Sequence, residues 1–233
     1  MRISKRLQRV AGQVRNGGVV ADIGCDHGFT SIYLIENHLA DRVFAMDINP
    51  GPLMRAREHI CQYGMEDKIT VMLSDGAKEL SPGEADGLLI SGMGGALICK
   101  ILRDSREVTE RAGELVLSPQ SEPYLVRHLV QEMGFAIDRE EMLCEQGKYY
   151  VIIHAVPGRQ CFDREEEYMY GSYLIHQKDG VLLQFLEKEQ KRVQGILRGF
   201  EKRELPADTL CQKRELEEIL AGVQWIMGRI SDY

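Results

Sequence analysis

The sequence predicts an α/β fold in which a mostly parallel seven-stranded sheet, covered by helices, is followed by an antiparallel helical hairpin. Short apolar runs alternate with amphipathic segments from residue 19 to about residue 156, which is typical of a parallel sheet with helical crossovers. Acids and glycines follow the apolar runs at their carboxyl ends. Beyond Gly158 the alternation stops and two long helical stripes begin. We therefore expect one domain over 1–158 and a second over 159–233.

The composition is that of an ordinary globular protein. The chain has 233 residues, of which 44% are hydrophobic and 28% charged, enough for one α/β domain and an appendage. No apolar run approaches the roughly 20 residues of a membrane span, and no apolar signal core follows the basic N-terminus. The six cysteines and six histidines are scattered without metal-ligand spacing. We expect a cytoplasmic protein with no membrane segment and no metal, and either a monomer or a weak dimer.

The opening segment predicts a helix with one apolar and one basic face. Its apolar stripe, at helical spacing, consists of Ile3, Leu7, Val10 and Val14. No acid occurs in the first 15 residues, and the cations that lie off the stripe are Arg2, Lys5, Arg6 and Arg9. The net charge of −7 does not favour nucleic-acid binding overall. The basic face is therefore either simply solvated or a local contact for nucleic-acid phosphates, and we predict the contact.

The chain is organised around a strand that leads into a glycine turn. Val19–Ile23 is a short apolar run followed by Gly24-Cys25-Asp26-His27-Gly28, after which a helix is predicted over Phe29–His38. Gly24 and Gly28 lack a Cβ, so the backbone can turn sharply and lie close to a ligand. In an open α/β sheet, this first strand-to-helix turn is where a nucleotide-like ligand binds.

Two acids indicate which ligand suits this turn. Asp47 ends the second apolar run, nineteen residues after Gly28, where an acid can accept hydrogen bonds from both ribose hydroxyls of an adenosine. Asp26 stands where a dinucleotide fingerprint has its middle glycine, and its carboxylate would repel a pyrophosphate. The same carboxylate favours a ligand that carries an ammonium and a sulfonium. Together, Asp26 and Asp47 indicate that the ligand is S-adenosylmethionine and disfavour a nicotinamide oxidoreductase. An ordinary tight turn with a solvated Asp26 is also compatible with the pattern.

The following segments continue the alternation. Strands are predicted over Arg42–Asp47, Ile69–Leu73, Ala85–Ile90, Glu114–Leu117, Phe135–Met142 and Tyr149–Val156, the last two as an antiparallel pair at the sheet edge. Helices are predicted over Leu53–Tyr63, Ala96–Arg103 and Glu122–Met133. Because the carboxyl ends of parallel strands meet at one edge, the residues after these strands should line one cleft. Besides the glycine turn and Asp47, they include Asp75, Gly76, Gly92, Met93, Gly94, Pro119 and Gln120.

The C-terminal region predicts two long helices separated by a break at Leu205-Pro206-Ala207-Asp208. The apolar stripe of the first helix consists of Val181, Leu182, Phe185, Leu186, Val193, Ile196, Leu197 and Phe200. That of the second consists of Leu216, Ile219, Leu220, Val223, Trp225, Ile226 and Ile230. Such a pair is typical of an antiparallel hairpin of coiled-coil type. It is either a stabilising appendage or an arm that holds a large substrate.

Five segments, distributed over the part of the chain before residue 121, resemble the bacterial TrmK family. They are Asp22-Ile23-Gly24-Cys25-Asp26-His27-Gly28, Met46-Asp47-Ile48-Asn49-Pro50, Ser74-Asp75-Gly76, Ile90-Ser91-Gly92-Met93-Gly94-Gly95 and Leu117-Ser118-Pro119-Gln120. The resemblance, which includes the C-terminal hairpin, implies a Rossmann-like class I methyltransferase that uses S-adenosylmethionine to methylate N1 of adenine 22 in tRNA. The candidate cofactor-binding residues are Gly24, Asp26, His27, Gly28, Asp47, Ile48, Asp75, Gly76, Gly92, Met93 and Gly94.

The segment after the fourth strand favours a ring nitrogen over an exocyclic amine as the methyl acceptor. Enzymes that methylate the amine commonly carry Asn/Asp-Pro-Pro-aromatic there, whereas this chain has Ser91-Gly92-Met93-Gly94 without a side-chain amide. Adenine N1 has a free lone pair, and a nearby carboxylate would stabilise the charge that develops on the base. Asp26 and His27, both on the glycine turn, are the candidate catalytic residues, unless they only hold the cofactor.

Two other functions remain open from the residues alone. A methyltransferase that acts on a small molecule or a protein would have the same fold, but the basic opening helix and the hairpin argue against it. A degenerate nucleotide-binding module would serve as a sensor or interaction domain. The glycines and acids that remain at the ends of the predicted strands argue against such decay.

Overall fold

A computed structural model describes residues 3–15, 17–200 and 207–231. The chain divides into two compact units, Met1–Cys161 and Phe162–Tyr233. The predicted cation Arg2 and part of the predicted break before the last helix lie outside the described residues.

The first unit contains the alternating strands and helices. Its strands are β1 (Val19–Ile23), β2 (Arg42–Asp47), β3 (Ile69–Leu73), β4 (Gly87–Ser91), β5 (Glu114–Ser118), β6 (Phe135–Glu145) and β7 (Lys148–Pro157). Its helices are α1 (Lys5–Ala11), α2 (Phe29–Glu36), α3 (Pro50–Gln62), α4 (Gly95–Asp104), α5 (Arg106–Arg111) and α6 (Pro123–Glu132). Each predicted strand is present, and the short helix α5 was not predicted.

The strands form one sheet in the order β3-β2-β1-β4-β5-β7-β6. Strands β1 to β5 are parallel, and β7 lies antiparallel between β5 and β6. The strand order reverses direction between β1 and β4, so the turns that leave these two strands diverge and leave a crevice at the carboxyl edge of the sheet. This topology confirms the predicted antiparallel pair at the edge.

The central strands are buried on both faces because helices cover both sides of the sheet. Ala21 of β1 and Leu89 and Ile90 of β4 are fully buried. Continuous apolar runs of this kind are expected of parallel strands, in which no residue faces water.

Two buried polar clusters hold the antiparallel edge. His154 of β7 lies within hydrogen-bonding distance of Glu114 of β5, at 2.8 Å, and also of Asp138 of β6. Arg127 of α6 donates from Nε to Glu140 Oε1 of β6 at 2.7 Å, and both side chains are fully buried. Neither cluster was predicted, because each joins residues that are distant in the sequence.

The helix α1 begins at its cap residue Ser4, whose hydroxyl accepts a hydrogen bond from the Leu7 amide at 3.2 Å. Val10 and Val14 of the predicted stripe are buried, whereas Leu7 is half-buried. Helix α1 packs against α2 and the β5–β7 side of the sheet. The basic face of α1 therefore lies on this side of the first unit.

The second unit is helical among the residues that the structure describes. Two short helices, α7 (Glu165–Tyr170) and α8 (Ser172–His176), precede α9 (Gly180–Phe200) and α10 (Ala207–Ser231). Helices α9 and α10 pack against each other. Residues of both predicted stripes are buried, namely Leu182, Leu186, Val193, Leu216, Val223, Ile226 and Ile230, whereas Ile196 is exposed. Among the described helices, none is long and apolar enough to cross a membrane.

Candidate active site

A cleft of about 450 Å³ lies at the carboxyl edge of the sheet, where β1, β2, β4 and β5 end. Its volume is within the range of small-molecule and cofactor sites. The predicted cofactor-binding residues that line it are Gly24, Asp26, His27, Asp47, Gly92 and Met93. Residues separated by up to about 70 positions in the sequence thus meet at one sheet edge, as predicted from the strand ends.

The other predicted cofactor residues do not line this cleft. Gly28 supports the turn, because a Cβ there would lie 3.1 Å from Ala56 Cβ of α3. Gly94 is close to Ser121, and Gly76 is close to Ile101. Asp75 forms an ion pair with Lys78. The surroundings of these four residues could not be read from the sequence, because most of the neighbouring residues are distant along the chain.

Ile48 is exposed beside the cleft. It follows Asp47 at the end of β2, and 59% of its surface is accessible. Leu73, paired in register with Asp47 at the end of β3, is 55% accessible. An apolar surface therefore lies at the tips of β2 and β3, where a flat aromatic ring could cover it.

The glycine turn contains backbone conformations that most side chains rarely adopt. Gly24 has φ +77°, and a Cβ at this position would collide with the terminal methyl group of Met93. The Gly24 and Cys25 amides both donate to the carbonyl oxygen of Met46, at 2.8 and 2.9 Å, which ties the turn to β2. Asp26 has φ +50°, a left-handed conformation that is strained for most side chains. The tight turn predicted after the first strand is therefore present.

Asp22 is a cleft residue that the sequence analysis did not select. It lies on β1, is 2% exposed, and accepts a 2.6 Å hydrogen bond from the Ser31 hydroxyl of α2. Burial raises the pKa of the Asp22 carboxyl to about 6, and the hydrogen bonds of Ser31 oppose this shift. An acid inside an otherwise apolar strand was the signal that could have identified it.

Asp47 is held at the tip of β2 by its own loop. Its Oδ1 accepts hydrogen bonds from the backbone amide of Asn49 at 2.8 Å and from the side-chain Nδ2 of Asn49 at 3.4 Å. These contacts fix the orientation of the carboxylate toward the cleft that it lines. A carboxylate fixed in this way can accept hydrogen bonds from a ligand without losing further side-chain entropy.

Asp26 and His27 are neighbours at the mouth of the cleft. His27 Nε2 lies 3.6 Å from Asp26 Oδ1, and the Asp26 side chain is 69% exposed. His27 Nδ1 is buried, and no described residue forms a hydrogen bond with it. The adjacent Phe29 ring stacks on His59 with 4.5 Å between ring centroids. The two candidate catalytic residues are thus together, beside an aromatic pair.

The predicted basic face is only partly a free cationic surface. Lys5 is exposed, but Arg9 forms an ion pair with Glu141 at 2.9 Å. Arg6 lines the cleft itself, with its guanidinium 5.1 Å from the Tyr150 ring centroid. Its Nη1 is buried and forms no hydrogen bond with a described residue. Of the described cations on this face, Arg6 is thus the one that lines the cleft.

The tips of β4 and β5 add further polar side chains, Ser91 and Gln120. The position of Gln120 after the fifth strand was predicted, but it was not among the candidate site residues. Among the described residues, no group of three or more metal-binding side chains is close enough to hold a metal ion. Burial raises the pKa of the Cys25 thiol well above its usual range, so this cleft residue stays protonated.

Comparison with known proteins identifies the family. Residues 3–153 match the model of the methyltransferase domain family. Over 228 residues the chain is 33% identical to the tRNA (adenine(22)-N(1))-methyltransferase of Bacillus subtilis, an alignment that covers 94% of this chain and 93% of that protein. The chain belongs to this tRNA methyltransferase family.

Solved structures of the tRNA methyltransferase family have the same fold. The crystal structure of the B. subtilis m1A22 tRNA methyltransferase TrmK has a TM-score of 0.88 at 29% identity, and the match covers 97% of this chain and 99% of that chain. A Streptococcus pneumoniae structure in complex with S-adenosyl-L-methionine has a TM-score of 0.86 at 26% identity, over 97% of this chain and 100% of that chain. These findings confirm the predicted resemblance to TrmK and the class I methyltransferase fold.

Proposed function

We propose that this protein transfers a methyl group from S-adenosylmethionine to N1 of an adenine in tRNA, at position 22 as in its Bacillus relative. The observation that carries the proposal is the cleft, where Asp22, Asp26 and Asp47 surround a glycine turn in which Gly24 has a positive φ. We also propose that the protein acts in the cytoplasm.

The residues of the cleft fit S-adenosylmethionine. Asp47, which is held by Asn49, would accept hydrogen bonds from the ribose hydroxyls, and the exposed Ile48 and Leu73 would offer an apolar surface to the adenine ring. Asp22 and Asp26 supply negative charge for the ammonium and sulfonium groups. A pyrophosphate would be repelled by the same carboxylates, which argues against a dinucleotide.

The strand order supports an assignment of the two ends of the cleft to the ribose and to the methyl acceptor. Asp47 is the last residue of β2, the glycine turn follows β1, and the next strand in the sheet is β4. If Asp47 holds the ribose, the reactive end of the cofactor points toward β4. The methyl acceptor is then bound beside the tips of β4 and β5, near Ser91 and Gln120.

The reaction makes few chemical demands on the protein. S-adenosylmethionine supplies an electrophilic methyl group, whose bond to sulfur breaks as the adenine N1 lone pair forms the new carbon–nitrogen bond. No proton has to leave N1, so the residues need not include a general base. The main tasks of the chain are to align the base and to exclude water. The Asp26 carboxylate, which lines the cleft, would favour the positive charge that develops on the base.

The basic residues of α1 would hold the RNA beside this acceptor end. Lys5 is free to contact a phosphate, and Arg6 reaches the cleft. At cellular salt the screening length is about 8–10 Å, so local cations matter more to a nearby phosphate than the net charge of −7. Arg9 could contact RNA if its ion pair with Glu141 opens.

The product of the reaction tests the proposal. We expect the purified protein to convert unmodified tRNA to a product that contains 1-methyladenosine after nuclease digestion and mass spectrometry. A transcript with guanine at the target position serves as the control and should stay unmethylated. Direct formation of N6-methyladenosine at neutral pH, or methylation of small molecules without tRNA methylation, would contradict the proposal.

A further inference from the structure

The tip of β5 carries a side-chain amide whose position gives it a function at the acceptor end of the cleft. Ser91 of β4 and Ser118 of β5 are paired in register, so the two strand tips lie side by side. The backbone amide of Gln120 donates to the Met93 carbonyl at 2.8 Å, and that of Gly92 donates to the Ser118 carbonyl at 3.3 Å. The backbone of Gln120 is thereby fixed against the turn after β4.

The Gln120 side chain itself is available to a ligand. It lines the cleft, and its Nε2 lies 3.9 Å from where a Cβ on Gly92 would stand. No hydrogen bond joins it to any residue that the structure describes. Asn49, the other amide of the cleft lining, is bonded to Asp47 at the tip of β2. Gln120 therefore offers a free donor and a free acceptor at the β5 end.

We propose that Gln120 recognises the target adenine by accepting a hydrogen bond from N6–H and donating one to N7. This inference rests on the proposed function. A side-chain amide is complementary to both polar edges of adenine. On the Watson–Crick edge, however, the amide NH2 group would donate to N1 and occupy the lone pair that must attack the methyl group. The N6/N7 edge is the one that Gln binds with two hydrogen bonds in nucleic-acid complexes, and it leaves N1 free.

The geometry also explains how the protein recognises an amine that it does not methylate. Guanine presents an acceptor at O6, opposite the Gln120 acceptor oxygen, so the two-bond arrangement cannot form. The Ser91-Gly92-Met93-Gly94 segment carries no amide, and the adenine contact comes from the neighbouring strand instead. Gln120 is in this role a specificity residue that touches the substrate base.

The test pairs a protein change with base changes. Wild type, Q120A and the control Q62A are compared on ligated tRNAs that carry adenine, purine or 7-deazaadenine at the target position. Gln62 is an exposed residue at the end of α3, about 18 Å along the helix axis from its start at the cleft. We expect Q120A to lower kcat/KM on adenine about tenfold to hundredfold, and Q62A to have no effect.

The decisive readout is the dependence of this loss on the base. On purine, which lacks N6, and on 7-deazaadenine, which lacks N7, the loss caused by Q120A should shrink at least threefold. The same pattern should appear in tRNA dissociation constants measured with S-adenosylhomocysteine present, a readout that does not depend on turnover. If Q120A lowers kcat/KM by the same factor on all three bases, the role of Gln120 in recognising the base is overturned. The proposed function stands in that case, provided that the wild type methylates adenine N1. A wild type that leaves adenine N1 unmethylated would overturn the proposed function as well.

Discussion

The Ser31 hydroxyl donates a 2.6 Å hydrogen bond to Asp22 Oδ2 beneath the glycine turn. This contact joins the first turn of α2 to the interior of β1, and both side chains are buried. Although the hydrogen bond favours the carboxylate, burial has the larger effect and raises the Asp22 pKa to about 6. The cleft therefore contains an acid that changes its charge close to physiological pH.

Cofactor affinity should depend on the protonation of Asp22. Below pH 6 the free protein holds Asp22 as the neutral acid, which offers no charge to the ammonium and sulfonium of S-adenosylmethionine. We expect the affinity to fall by up to about tenfold per pH unit below pH 6 and to level off above it. Isothermal titration between pH 5 and 8 measures this profile.

Two variants control the pH experiment. D22N should have weaker affinity with a flat profile over the same range, because the titrating group is gone. S31A removes a hydrogen bond that lowers the pKa, so its midpoint should move to higher pH. A D22N profile as steep as that of the wild type would assign the pH dependence to another group.

Asp47 should contribute strongly to cofactor binding. We expect D47A to weaken S-adenosylmethionine binding by about 1.5–3 kcal/mol, because it removes charge-assisted hydrogen bonds to the ribose. Titration calorimetry at pH 7.5 measures this change. D67A removes an exposed acid that does not line the cleft and should leave the affinity unchanged. If D47A binds as tightly as the wild type, the ribose is not held at the tip of β2.

The cations of α1 should separate into two functional groups. K5A and R9A should weaken tRNA binding and lower the slope of log K against log salt by about 0.7–0.9 for each phosphate that the variant no longer neutralises. Their cofactor affinity should not change, because neither side chain lines the cleft. R6A should weaken tRNA binding too, and it alone should alter cofactor binding. Filter binding at several salt concentrations and cofactor titration distinguish these outcomes.

A result with wild-type tRNA affinity and salt slope for both K5A and R9A would remove these two residues from the RNA-binding surface. Lys188 and Lys191 of α9 would then be the next cations to replace.

Replacing only one partner of the buried ion pair between Arg127 and Glu140 should destabilise the fold. We expect R127M to lower the free energy of unfolding by about 3–5 kcal/mol, because a buried carboxylate loses its partner. R127M/E140L should recover most of this loss, since the apolar pair leaves no unpaired charge. Urea denaturation followed by circular dichroism measures both. If the double variant is no more stable than R127M, the loss of stability comes from other contacts of these two side chains and not from the unpaired carboxylate.

The strand ends illustrate how far the candidate site was predictable. Gly24, Asp47 and Met93 lie in separate segments, yet each follows an apolar run, and parallel strands with helical crossovers bring such ends to one edge. Asp75 also follows a strand, but its carboxylate is engaged by Lys78 and lies outside the cleft lining. Strand position thus predicts the sheet edge at which a residue lies, whereas the partner of its side chain is set by three-dimensional packing.

The sequence by itself determined the order of strands and helices, the glycine turn and the acids that favour S-adenosylmethionine, because these follow from local periodicity and spacing. Only the tertiary structure decided that Arg6 reaches the cleft, that Asp22 is buried beneath it, and that Gln120 has a free amide there. The physical reason is that burial and hydrogen-bond partners depend on contacts between distant segments. The packing of α1 against the β5–β7 side is one such contact, and it brings a cation of the opening helix to the active-site cleft.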